Sequence, residues 1–455
     1  MFDELHEECG VFGISMENES PDIIKNLYLG LFALQHRGQE TCGIAYYKDN
    51  AIRVLKCEGL VSGEFFEKLP LGDQCSAGIG HVLYPAGGNS GIKSAQPLFF
   101  HCNKGELAMA HNGNIPLAKK IKADLIKSGS IFQTTSDAEI LVHMMSRTQG
   151  EDFDTALVES LAKIRGAYSM VVLHDDEIVA FRDPNGFHPL SYAEIPGGIV
   201  FSSETNAFDL LKATNWIDIE PGEVVFCKKG KIIKKQRFAE KGRISGCVFE
   251  HVYFARPDSV VFGESVQQVR ARMGAMLAKR MKIKPDIVIS VPDSGNSAAI
   301  GFANEAKIPF EMGLIRNHYT GRTFIKPKQE LRMEAVRIKL NPVKAIINGK
   351  IVAVVDDSLV RGTTSMQIIK MLRDAGAKEV HLFLSSPEIH HCCFYGVDTG
   401  TLEELISTKK TPAEIAEFIG ADTVNFIALD DLKSCLAKPN EYCYACFDGD
   451  YPTEV

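Results

Sequence analysis

The sequence predicts an α+β domain built on antiparallel sheets, followed by an α/β domain built on a parallel sheet. Three observations predict this. From residue 9 to about 235, short apolar or alternating runs come in pairs with frequent turn signals: "CGVFGIS", "CGIAYY", "AGIGHV", "LAMAHNG", "YSMVVLH", "EIVAFRD", "GIVFSSE" and "GEVVFCK". From about 260, apolar runs stop on polar residues and lead into helical patterns, as in "DIVISVPDS", "KIVAVVDDS" and "EVHLFLSSP"; that is the βαβ signature of a parallel sheet. The length, 455 residues, suits two or three domains.

Helical spacing appears in "DIIKNLYLGLFALQ", "SDAEILVHMMSRTQ" and "ESVQQVRARMGAMLAKRM". The charged stretch "KKGKIIKKQRFAEKGR" (228–243) is read either as the crossing between the halves or as a solvated hairpin. The expected divisions are a removable segment 1–8, a first domain 9–235 and a second 236–455.

Hydrophobic residues make up 45% and charged residues 24%, a globular composition. The net charge of −8 speaks against a general binder of nucleic acid or of membrane surfaces, but leaves room for a locally anchored anion. No apolar stretch reaches the ~18 residues of a membrane span. Met1 to Glu8 are acidic and lack the charged and apolar regions of a signal peptide. The expected location is cytoplasmic, where twelve cysteines are not a disulfide framework; they are candidate metal or cluster ligands, or a nucleophile.

The most informative stretch is "KIVAVVDDSLVRGTTSMQIIKMLRDAGA" (350–377). Ile351 to Val355 read as a buried strand. Asp356 and Asp357 stand at its C-terminal end, where open α/β sheets bind ligands. Arg361, Gly362, Thr363, Thr364 and Ser365 then open an amphipathic helix, a phosphate cradle of backbone N–H groups and hydroxyls. Paired carboxylates beside it suit the hydroxyls of a sugar phosphate, or Mg²⁺. A bare strand end with a helix cap is the plain alternative.

These residues resemble the phosphoribosyl diphosphate (PRPP) signature of type I phosphoribosyltransferases. With "VPDSGNSAA" (291–299), "RNHYTGRTFIKPKQELR" (316–332) and "IKLNPV" (338–343), the chain resembles the amidophosphoribosyltransferase family over nearly its whole length. The resemblance implies Mg²⁺ at Ser294, Asp356 and Asp357, a 5′-phosphate loop at Arg361 to Ser365, and a loop at 319–327, with Arg322, that closes over PRPP. It also implies that an αββα sandwich of the N-terminal-nucleophile type precedes the α/β phosphoribosyltransferase domain.

The start of the chain, "MFDELHEECGVFGI", resembles the class II glutamine amidotransferases, in which a propeptide is removed ahead of the cysteine. A free α-amino group, with a pKa of about 8, accepts a thiol proton near neutrality, whereas an amide nitrogen does not. The resemblance makes Cys9 the nucleophile. It places Arg37 of "ALQHRGQETCGIA" nearby, Asn112 and Gly113 of "AHNGNI" in the oxyanion hole, and Asp137 of "TTSDAEI" on the α-ammonium of glutamine. One departure stands in "GHVLYPAGG" (80–88): Leu83 occupies the position of the family's carboxylate-clamping arginine, and no threonine stands near Ala86. Leucine does not replace a bidentate guanidinium. His81 is a weaker candidate for that role.

Cys247, Cys393, Cys443 and Cys446 match the ligands of a [4Fe–4S] cluster found in some family members. Zinc on the same sulfurs is the alternative, and Cys392 adjoins Cys393. The implied reaction makes 5-phosphoribosylamine from PRPP and glutamine, at the start of purine synthesis. The rivals are an ammonia-dependent enzyme with a weakened glutaminase site and a PRPP-sensing regulator. Purine nucleotides are expected as feedback inhibitors, and a homodimer or homotetramer as the assembly.

Overall fold

The computed structural model describes residues 9–84, 91–148, 152–318 and 338–455. Met1 to Glu8, Ala86 and the 319–327 loop with Arg322 lie outside the described residues.

Two antiparallel sheets face each other in the N-terminal half. The first runs Thr214–Asp218, Ser191–Ile195, Gly198–Ser202, Gly10–Ser20, Cys75–Leu83, Thr41–Lys48 and Ala51–Glu58 in spatial order. The second runs Lys231–Arg237, Glu223–Lys228, Glu177–Arg182, Ala167–His174, Gly105–Asn114 and Leu98–Cys102.

Alternation along the first strand explains the layering. Val11 joins Ala77, Ile79, Ala110, Val171 and Ala180 between the sheets. Phe12 and Ile14 join Ile23, Leu27 and Leu31 under the helix Asp22–Ala33. A period of two sends successive side chains to opposite faces. On the far side, Met109, Tyr168, Met170 and Phe181 pack against Leu125, Leu141, Leu157 and Leu161 of three further helices. The result is an αββα sandwich.

The stretch at 228–243 begins as a hairpin, with Glu223 opposite Arg237 and Lys228 opposite Lys231. Lys231, Lys234 and Lys235 line this edge strand, where charge discourages pairing with another chain. The crossing to the second half follows Arg237.

That half carries a parallel sheet in the order Ile287–Ser290, Ile351–Asp356, Glu379–Leu384 and Thr423–Phe426. Val288, Ala353, Val355 and Phe383 pack on Val269, Met273, Ala298 and Phe302 of the helices Val266–Lys279 and Asn296–Ala306. Val352, Val354, Leu382 and Leu384 pack on Ile368, Leu372, Ile415 and Ile419 from the opposite side. Apolar residues on both faces are why these strands read as unbroken apolar runs in the sequence.

Candidate active site

Cys9 sits fully buried one residue ahead of the first strand. Its N–H donates to Asn112 Oδ1 at 3.1 Å, across the gap between the sheets. Asn112 Nδ2 is buried and has no partner among the described residues. An amide donor held against the backbone of the cysteine in this way suits a developing oxyanion. The Asn-Gly pair lies inside the strand Gly105–Asn114, opposite Ser169 and Tyr168, so it is not a hairpin turn. Gly113 has φ +135°, and a Cβ there would stand 2.2 Å from the Ala167 carbonyl oxygen, so only glycine fits.

The residue before Asn112 is held from both sides. The His111 N–H donates to Gln96 Oε1 at 2.8 Å, and His81 Nε2 donates to the His111 carbonyl at 2.9 Å. Burial brings His81 down to about 3, so it is neutral near pH 7 and supplies no cation for a carboxylate. Asp137 Oδ2 accepts the Ile115 N–H at 2.6 Å, and Oδ1 lies 3.4 Å from His111 Nδ1. Leu83 is 2% exposed, at the end of its strand and opposite Thr41.

Arg37 is buried and reaches Cys9 directly, its Nε–H donating to the Cys9 carbonyl at 3.1 Å. Its other donors meet two buried carboxylates. Nη1 donates to Glu204 Oε1 at 2.6 Å and Glu250 Oε2 at 2.8 Å, and Nη2 donates to Glu250 Oε1 at 2.7 Å. His36 Nε2 lies 2.7 Å from Glu204 Oε1, and His188 Nδ1 lies 3.4 Å from Glu250 Oε1. Burial opposes ionisation of both glutamates. The charge and hydrogen bonds of neighbouring cations outweigh it, holding Glu204 well below the usual carboxylate range and Glu250 at about 2.

Sequence reasoning did not single out Glu204, Glu250 or His188. Glu204 ends the strand run "GIVFSSE" and Glu250 interrupts "GCVFEHVYFARPDS". A carboxylate bounding a buried apolar run is the signal that marks them.

A second cluster of polar residues lies at the C-terminal ends of the parallel strands. Asp356 and Asp357 are 8% and 7% exposed. Asp356 Oδ1 accepts the Asp357 N–H at 2.8 Å, and Ser358 donates its hydroxyl to Asp357 Oδ1 at 2.5 Å. Ser290 is in register with Val355, which brings the half-buried Ser294 turn beside this end. Burial and the charge of Asp357 push Asp356 well above the usual carboxylate range. Two adjacent buried carboxylates repel each other, and an all-oxygen set of this kind fits Mg²⁺. Gly362, with φ +77°, opens the helix Thr363–Asp374, which begins with Thr363, Thr364 and Ser365. Arg361 forms a two-bond pair with Glu404, at 3.1 and 2.9 Å.

Cys247, Cys393, Cys443 and Cys446 line one apolar cavity with Phe187, Val248, Phe249, Tyr395 and Tyr451. A parallel bridge sets Cys247 opposite Cys443, and the His390 and His391 N–H groups donate to the Cys446 carbonyl. The Tyr395 N–H donates to Cys393 Sγ at 3.3 Å. Burial pushes the Cys443 thiol up to about 12. Cys392 is only partly buried and does not line the cavity. Among the described residues, no three His, Cys, Asp or Glu side chains form a group that could hold a metal ion.

The depressed Glu250 has a definite sign in acid. The unfolded chain binds its proton near 4.5 and the folded chain near 2. The group therefore stabilises the fold fully above about pH 4.5, and that stability is lost as pH falls through the folded value. Denaturant midpoints measured stepwise from pH 5 to 2 are expected to fall in the parent protein, with this component absent in Glu250→Gln.

The glutamine amidotransferase domain family matches residues 90–210. The chain is 45% identical over 453 residues to amidophosphoribosyltransferase 3, chloroplastic, of Arabidopsis thaliana, covering 99% of this chain and 85% of that one. It is 44% identical over 458 residues to the amidophosphoribosyltransferase of Bacillus subtilis, covering 99% and 95%. The structure of the Bacillus subtilis glutamine PRPP amidotransferase complexed with ADP and GMP aligns with a TM-score of 0.90 at 43% identity, over 98% of both chains. On this identity, sustained over nearly the whole of its length, the chain belongs to the amidophosphoribosyltransferase family.

Proposed function

We propose that this chain moves the amide nitrogen of glutamine to PRPP, giving 5-phosphoribosylamine, pyrophosphate and glutamate, the opening reaction of purine nucleotide synthesis. The observation that carries the site reading is the Asn112 amide, whose oxygen holds the Cys9 nitrogen and whose buried Nδ2 has no partner among the described residues. The domains are taken as 9–235 and 236–455, after removal of 1–8.

Once Glu8 is removed, the freed α-amine of Cys9 accepts the thiol proton. The sulfur adds to the glutamine carboxamide carbon, and Asn112 Nδ2 and the Gly113 N–H receive the oxyanion. Collapse releases ammonia, with the proton returned by the amine, and leaves a γ-glutamyl thioester, which water cleaves to glutamate and free thiol. Asp137 faces the substrate's α-ammonium. Ammonia then attacks C1 of PRPP and pyrophosphate departs. Arg361 to Ser365 hold the 5′-phosphate, and Arg322 lies in the loop that covers the site. Asp356, Asp357 and Ser294 would hold Mg²⁺, which supplies positive charge for the diphosphate. Binding of purine nucleotides as inhibitors and assembly as a dimer or tetramer belong to the same reading; the Bacillus subtilis relative was solved with ADP and GMP.

Cys247, Cys393, Cys443 and Cys446 would hold a [4Fe–4S] cluster that braces the C-terminal segment. Four cysteines lining one apolar cavity supply the thiolate number of such a cluster, and zinc on the same sulfurs is the second reading. The reading with ammonia as sole donor rests on Leu83. It is not favoured for a chain that matches these relatives at 41–45% identity over its full length.

Correctly trimmed protein is expected to release pyrophosphate with either nitrogen source. Cys9→Ala should lose the glutamine-dependent rate and keep the ammonia-dependent one, and protein retaining Met1 to Glu8 should behave as Cys9→Ala does. Glutamine turnover by an untrimmed chain, checked by mass, refutes the nucleophile assignment.

Leu83→Arg should lower the glutamine KM by about a hundredfold, the effect of restoring a charged partner to a carboxylate. An already low KM in the unmodified protein removes this expectation.

Anaerobically purified protein should be brown, with iron and sulfide in equal amounts, and Cys443→Ser should lose both the colour and thermal stability. Colourless protein with stoichiometric zinc decides for the alternative.

A further inference from the structure

The Cys9 site is completed by a residue from beyond the crossing. Glu250 opens the short helical turn Glu250–Phe254 and is fully buried. Both of its oxygens accept from Arg37, at 2.8 and 2.7 Å. A guanidinium is a planar fork, so a two-bond carboxylate fixes the plane in which its other N–H groups point. Here the Nε–H points at the Cys9 carbonyl, 3.1 Å away.

Glu204 cannot set this plane alone. It takes only Nη1 of Arg37 through Oε1, while its Oε2 accepts the Arg256 N–H at 2.9 Å and the Ser259 hydroxyl at 2.7 Å. Glu250 is in turn held by a chain of contacts that crosses the junction twice. His188 Nδ1 lies 3.4 Å from Oε1, and His188 Nε2 donates to the Tyr395 carbonyl at 2.7 Å. Tyr395 stacks on Phe187 with ring centroids 4.1 Å apart. Cys9 is thereby clamped on both backbone groups, its nitrogen by Asn112 and its carbonyl by Arg37, so that the aim of the sulfur depends on both holds.

We propose that Glu250 is a positioning residue for glutamine hydrolysis: by orienting Arg37 on the Cys9 carbonyl, this carboxylate of the phosphoribosyl-transferring half sets the geometry of the nucleophile in the other half. The inference rests on Cys9 being that nucleophile. It departs from a purely structural ion pair because the third arm of the guanidinium ends on the nucleophilic residue itself.

The test uses trimmed full-length protein with Glu250→Gln, Glu250→Asp, Arg37→Lys, and the Arg37→Lys/Glu250→Gln double variant. Glutamate release from glutamine and pyrophosphate release from PRPP with ammonia are measured on the same preparations. Glu250→Gln is expected to lower kcat for glutamine hydrolysis by about a hundredfold, the cost of a misplaced reacting group. The glutamine KM should stay within about threefold, because substrate contacts are not removed. The double variant should lose no more than the worse single variant, since the pair acts as one unit. Glu250→Asp keeps the charge on a shorter arm, is expected to lose about tenfold in kcat, and carries the test if Glu250→Gln does not fold.

An unchanged kcat, losses that add in the double variant, or equal loss of the ammonia-dependent rate overturns the proposal, the last by showing general damage to the junction. A parent protein that uses ammonia but releases no glutamate overturns instead the assignment of Cys9, and this inference with it.

Discussion

Arg37 is a full charge placed where water does not reach, and it is tolerated because two carboxylates surround it. Glu204 comes from the end of a strand in the first half, and Glu250 from a turn in the second. Taking any of the three from water is costly, and removing one partner of such a group typically costs about 3–5 kcal/mol. Burial works against every one of these charges, yet both glutamates stay ionised and Arg37 is held firmly protonated. The junction between the halves is therefore specified by charge and direction as well as by apolar area. The same guanidinium ends on the backbone of Cys9, so the docking of the halves and the placement of the Cys9 carbonyl are one constraint.

The short turn Glu250–Phe254 stands between the two chemical centres. Arg270 secures its far side, with Nε donating to the His251 carbonyl at 2.6 Å and Nη2 to the Ala255 carbonyl at 2.8 Å. Burial pulls the Arg270 guanidinium below its ordinary value, and the charges of Asp357, Glu204 and Glu250 oppose this. A buried cation thus lies on each side of the turn, one on the Cys9 carbonyl and one within reach of the Asp357 charge. The cysteine-lined cavity meets the same region through Tyr395, whose carbonyl holds His188. Three features that are far apart in sequence share one wall.

Both centres use strand ends, for different reasons. In the parallel sheet all strands point one way, so Asp356 and the Ser294 turn arrive at the same edge without further design. In the antiparallel sandwich, one strand must begin where another ends across the gap. Cys9 at the start of the first strand and Asn112 near the end of Gly105–Asn114 satisfy that condition.

The sequence by itself determined the two fold classes, because periodicity records which faces are buried, and strands such as Ile351–Asp356 carry apolar residues toward both helical layers. Resemblance of short motifs to a known family also offered Cys9, Asn112 and Gly113 as site candidates, and Asp356 and Asp357 stood out as carboxylates ending a buried apolar run. The 228–243 stretch stayed ambiguous because a lysine-rich edge strand and a solvated linker have the same composition. Only the tertiary structure decided the partners of Arg37: Glu204 and Glu250 lie 167 and 213 residues away in the chain. No local pattern encodes a contact of that separation, which exists only after both halves have folded and docked. The gathering of four cysteines around one cavity has the same origin, for it depends on a parallel bridge between Gly246–Cys247 and Tyr442–Cys443 that closes the chain almost end to end over the second half.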